Sequence, residues 1–111
     1  MRGGGIYNGI INNRMGNSSQ LTLINSTVSG NTATGGYGAS GFGGGIYNAT
    51  GSKLTLNSST VSGNSATGPN SRGGGIYNEG TLILLNNSTV SGNSASAGGN
   101  DIYNKGTLSH G

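Results

Sequence analysis

Glu79 and Asp101 are the only side-chain carboxylates in the chain, and a pair of carboxylates is what acid–base cleavage of a sugar polymer requires. Glu79 follows Asn78 and Asp101 precedes Ile102, which places them four positions apart in the repeat described below. At roughly 3.3 Å per extended residue that is about 13 Å, wider than a glycosidase pair. They are therefore expected to be solvated loop carboxylates, and no enzymatic activity is expected. One histidine and no cysteine exclude a histidine cluster, a thiolate zinc site, a disulfide scaffold and thiol redox chemistry. The Gly- and Asp-rich turn pattern of calcium-binding solenoids is absent, so neither a metal nor a cofactor is expected. The glycine runs at Gly3, Gly43 and Gly73 lack the lysine of a phosphate loop and open no helix; tight corners account for them. Arg2, Arg14, Lys53, Arg72 and Lys105 are dispersed, and the formal net charge is only +3, too little for a nucleic-acid partner.

The elements that must position these residues come from a repeat. Gly, Asn, Ser and Thr make up 68 of the 111 residues, and Leu, Ile, Val and Phe only 20. The block GGGIYN occurs at Gly3, Gly43 and Gly73, and returns as GNDIYN from Gly99. A second block follows each of the first three: LTLINSTVSGN from Leu21, LTLNSSTVSGN from Leu54, and LILLNNSTVSGN from Leu82, the last with one extra residue near Asn86. The units are 3–42, 43–72 and 73–98, with a partial unit at 99–111, and together they form one domain.

Apolar residues within a unit alternate with polar ones, a period of two that specifies strand rather than helix. Leu21 and Leu23, Leu54 and Leu56, and Leu82 and Leu84 flank an intervening residue that faces the other way. Val28, Val61 and Val90 stand between Thr and Ser, and Ile6, Ile46, Ile76 and Ile102 between a small or polar residue and Tyr. Each unit thus offers three short strands that bury nothing alone. The expected fold is all-β: a parallel β-solenoid of about four coils, with three strands per coil and open, uncapped ends. Stacking would align Ile on Ile, Leu on Leu and Val on Val in a narrow core. The intervening segments, including Gly9 to Gln20 and Thr32 to Phe42, are expected to be surface loops at the coil corners. No apolar run exceeds four residues, so no membrane span is expected, and the first residues lack the apolar stretch of a secretory leader.

These blocks resemble the repeats of bacterial right-handed parallel β-helix proteins, namely polymorphic outer-membrane-protein-like passengers and secreted proteins with a CSLREA-type domain. The resemblance implies an extracellular or cell-surface location and an adhesin-like or structural role, with any export signal outside this sequence.

Three further registers follow from the same alignment. Tyr7, Tyr47, Tyr77 and Tyr103 adjoin the inward isoleucines and should form an outward column, either a structural ladder or a contact surface for glycan or protein. Asn8, Asn48, Asn78 and Asn104 form an amide ladder, and Asn31, Asn64 and Asn93 a second one. Thr27, Thr60 and Thr89 make a short hydroxyl row, while Ile83 interrupts the row begun by Thr22 and Thr55, which weighs against an ice-binding face. Bare coil ends expose unpaired backbone groups, so the expected partner is another copy stacked head to tail, giving an oligomer or a filament. Arg2 at one end and Asp101 and Lys105 at the other would set the polarity of that joint. The alternative is an adhesin segment that binds glycan or a surface protein through the Tyr column and loops.

Overall fold

Short side-chain alternation with no helix former in excess leaves the chain one regular option, the extended strand. The computed structural model describes residues 2–9, 19–35 and 40–110, and every regular element among them is a β-strand. The first unit supplies β1 (Ile6–Asn8), β2 (Gln20–Ile24), β3 (Thr27–Ser29) and β4 (Thr32–Thr34). The second supplies β5 (Ile46–Asn48), β6 (Lys53–Asn57), β7 (Thr60–Ser62) and β8 (Ser65–Thr67). The third supplies β9 (Ile76–Asn78), β10 (Thr81–Leu85), β11 (Thr89–Ser91) and β12 (Ser94–Ala95), and the partial unit β13 (Ile102–Asn104) and β14 (Thr107–His110).

Equivalent strands pair in parallel, giving sheets ordered β1-β5-β9-β13, β2-β6-β10-β14, β3-β7-β11 and β4-β8-β12. The register sets like on like: Ile6 on Ile46 on Ile76 on Ile102, Leu21 on Leu54 on Leu82 on Leu108, and Val28 on Val61 on Val90. Repeated parallel strands stacked in this way are consistent with a β-solenoid.

The expectation of three strands per coil is corrected to four. The fourth strand is the start of what the sequence suggested was a connecting loop, and its inward residue is only an alanine: Ala33, Ala66 or Ala95. Alanine carries too little hydrophobic signal to mark a strand, yet Ala33 and Ala66 are buried because the sheet brings them inward.

Ile46, Leu54, Leu56, Val61, Ile76 and Leu82 are completely buried and form the core with Leu84. Ile6, Leu21, Leu23 and Val28 at one end, and Val90, Ile102 and Leu108 at the other, pack on that core but stay half-buried, because each has a stacked neighbour on one side only. Corners are made by residues in the left-handed region. Gly43 has φ +67°, and a Cβ there would lie 2.4 Å from the Ile46 carbonyl oxygen. The extra residue of the third unit is absorbed in its corner, where Asn86 and Asn87 both have positive φ, so Thr89 still pairs with Thr60. No helix among the described residues is long and apolar enough to cross a membrane.

Candidate functional site

Polar side chains at the corners build two amide ladders that run along the stack. Asn8 Nδ2 donates to Asn48 Oδ1 at 2.8 Å, Asn48 to Asn78 at 2.7 Å, and Asn78 to Asn104 at 2.7 Å. The same amides donate to the Lys53, Thr81 and Thr107 carbonyls, holding the first sheet to the second. Asn48 and Asn78 are fully buried, so each lost partner would leave a desolvated dipole. In the second ladder both the backbone N–H and Nδ2 of Asn31 donate to Asn64 Oδ1, and those of Asn64 to Asn93 Oδ1.

Both ladders have one direction, donor toward the C-terminal end. Asn104 Nδ2 is left with only the Gly106 carbonyl at 3.3 Å, whereas Asn8 Oδ1 accepts no hydrogen bond among the described residues. Among the described residues the ladder thus ends in an acceptor at Asn8, which is itself buried, and in a donor at the exposed Asn104.

The tyrosines stack as a column, with centroids 5.3, 5.2 and 5.1 Å apart and interplanar angles of 3°, 4° and 18°. The expected solvent-facing stripe is not what forms. Tyr47 and Tyr77 are only 4% and 7% exposed, and only Tyr7 at the end of the column reaches 38%. The cause is a cover supplied by the residue before each glycine run. The Arg2 guanidinium lies over Tyr47, Phe42 packs tilted against Tyr77, and the Arg72 guanidinium lies over Tyr103, each reaching the ring of the following unit. The Tyr47 hydroxyl donates to the Glu79 carboxylate. Burial first, and then that hydrogen bond and the negative charge of Glu79, push the Tyr47 phenol well above its ordinary value; burial and Glu79 also raise that of Tyr77.

Asp101 departs furthest from its expected role. It aligns with Gly75, but its Oδ1 accepts from the Asn93 backbone N–H and from Asn93 Nδ2, both at 3.1 Å. That is the place a next asparagine of the ladder would hold. Beside it Asn100, aligned with Gly74, accepts from the Ala95 N–H at 3.0 Å. The C-terminal end is therefore not uncapped throughout. Arg2 and Asp101, expected as free polarity charges, are both engaged with their own chain; Lys105 is exposed. Both carboxylates lie at bends outside the strands and are half-exposed, and each also accepts a hydrogen bond from a neighbouring unit or ladder.

Two serine rows were not foreseen. Ser59 Oγ accepts from Ser26 N–H and Ser88 Oγ from Ser59 N–H, while Ser71 Oγ accepts from Gly41 N–H and Ser96 Oγ from Ser71 N–H. Their only sequence signal is recurrence in register, lost in so serine-rich a chain.

The loop residues proposed for binding fall mostly outside the described residues, namely 10–18, which include Arg14, and 36–39. Among the described residues no group of three or more His, Cys, Asp or Glu gathers to hold a metal ion. What the described groups can do chemically is add strands: β1 to β4 form one end of the sheets, with β13 and β14 at the far end of two of them. No protein-family model, curated protein or solved structure matches this chain.

Proposed function

We propose that the chain is a non-enzymatic structural repeat module, extracellular or at the cell surface, that works by stacking head to tail with other copies of itself. In this reading the solenoid is a right-handed β-helix of about four coils, as the resemblance to bacterial surface repeats implies. The observation that carries it is the identity of the two edges of one sheet. β1 and β13 are both Ile-Tyr-Asn, and the Ile, Tyr and Asn columns between them are unbroken. A second copy placed on β13 would repeat a pairing the molecule already makes three times in that sheet. The amide polarity fits as well, because the Asn104 donor would meet the Asn8 acceptor. Low net charge opposes such contact weakly.

Negative-stain electron microscopy with light scattering over a concentration series tests the proposal. Rods or fibres that lengthen with concentration are expected. A monodisperse monomer at every concentration would overturn it. The adhesin alternative loses its broad aromatic surface to the burial of Tyr47 and Tyr77.

A further inference from the structure

Two changes to the repeat fall side by side on one face. In the second and third units the two residues before Ile-Tyr-Asn are glycines, and the structure shows why: a Cβ at Gly74 would lie 2.1 Å from the Ser94 carbonyl oxygen, and one at Gly75 would lie 2.7 Å from Asn93 Nδ2. In the partial unit the same positions carry Asn100 and Asp101. No described strand lies beyond β11 and β12 in their sheets, so the side chains have room there, and they fill it with acceptors. Asp101 Oδ1 satisfies two N–H groups of Asn93, and Asn100 Oδ1 satisfies that of Ala95. The N-terminal face has no such substitution, since Gly3, Gly4 and Gly5 keep the repeat.

We infer that Asn100 and Asp101 act as a surrogate strand: they close the β12 edge and the Asn93 corner that leads into it from β11, and so confine the docking surface for a second copy to β13 and β14. The inference rests on the head-to-tail reading and defines its joint. The incoming copy pairs β1 on β13 and β2 on β14, with Tyr7 on Tyr103, Leu21 on Leu108 and, by continuation of the register, Thr22 beside Ser109. Its β3 stays one layer away from β11. Thr22 and Ser109 are then about 5 Å apart across the joint, and Ser29 and Ser91, which share a register position, about 10 Å.

Two measurements test this on the full chain. The first is amide hydrogen exchange. Asn93 and Ala95 should be protected in the wild type, and Asn100→Gly/Asp101→Gly should speed their exchange about tenfold or more while the core amides of Leu54 and Leu56 hold. If that variant fails to fold, Asp101→Ala alone should still release Asn93 and leave Ala95 protected. Fast exchange at both sites in the wild type overturns the surrogate strand.

The second uses the absence of cysteine. Thr22→Cys mixed with Ser109→Cys should cross-link between copies with a thiol reagent of about 5 Å reach, whereas Ser29→Cys mixed with Ser91→Cys, the in-register pair of the neighbouring sheet, should not. Equal cross-linking of both pairs, or of the second pair alone, overturns the confined joint, as does association with neither pair linked. If the wild type does not associate at all, the head-to-tail reading fails with its joint, and the exchange experiment still decides the surrogate strand by itself.

Discussion

Tyr47 joins burial, a stacked ring on either side and a hydroxyl bonded to Glu79, so its environment favours the protonated phenol. The sign of the pH dependence follows. With the folded phenol raised above its ordinary value of 10.0, the unfolded chain loses its proton first as pH rises, and stability present at neutral pH is lost above about pH 10. Thermal melts from pH 8 to 11 should show this decline, and Tyr47→Phe should flatten it while lowering stability at neutral pH through loss of the Glu79 contact. Ser52 presents the opposite case, a buried hydroxyl with no hydrogen-bond partner among the described residues. Ser52→Ala keeps the Cβ and removes the unpaired oxygen, so a gain of roughly 1 kcal/mol is expected in chemical denaturation. Neither environment was legible beforehand. The sequence alignment compares Arg2 with Arg72, and Tyr47 with Tyr77, but the contacts that bury the rings run diagonally, from the residue before one glycine run to the tyrosine of the next unit.

Strands that carry a large inward residue were plain in the sequence: the Ile-Tyr-Asn, Leu-x-Leu and Thr-Val-Ser strands stand where alternation put them, in the register that repeat alignment implied. The Ala-centred strands were hidden because a methyl group is a weak marker of an inward face. Asp101 was misread for a related reason: by alignment it replaces a glycine, but in space its carboxylate replaces an asparagine of another column. Core and ladder should respond differently to damage. Leu56→Ala, in the middle of the stack, should cost about 2–5 kcal/mol through the cavity it leaves, and Leu56→Asp should abolish the fold, both read by denaturant titration. Asn48→Ala should cost at least about 2 kcal/mol, since it strands the Asn8 donor and the Asn78 acceptor together. The corner after β6 is a place to gain: Ser58 sits at φ +51°, where the corresponding Asn25 and Asn86 are better suited. Ser58→Asn should raise the melting temperature.

At the scale of the whole molecule the two ends differ in chemistry as well as shape. The N-terminal end keeps the repeat's apolar columns, which finish in the half-buried Ile6, Leu21, Leu23 and Val28. At the other end the column of Leu23, Leu56 and Leu84 finishes in His110. A joint would have to desolvate that imidazole beneath Leu23. His110→Leu should therefore shift association to a concentration about tenfold lower, measured by light scattering, since one buried polar group costs on the order of 1–3 kcal/mol.

The tyrosine column carries an optical consequence. The chain contains no tryptophan, so its ultraviolet emission and near-ultraviolet circular dichroism come chiefly from tyrosine. Four of the rings lie nearly face to face at 5.1–5.3 Å, close enough for their transition dipoles to couple, with the sense of that coupling fixed by the handedness of the stack. A joint that sets Tyr7 on Tyr103 would double the length of the coupled array from four rings to eight. Head-to-tail stacking of that kind would thus report itself through a growing exciton signal, with no label attached.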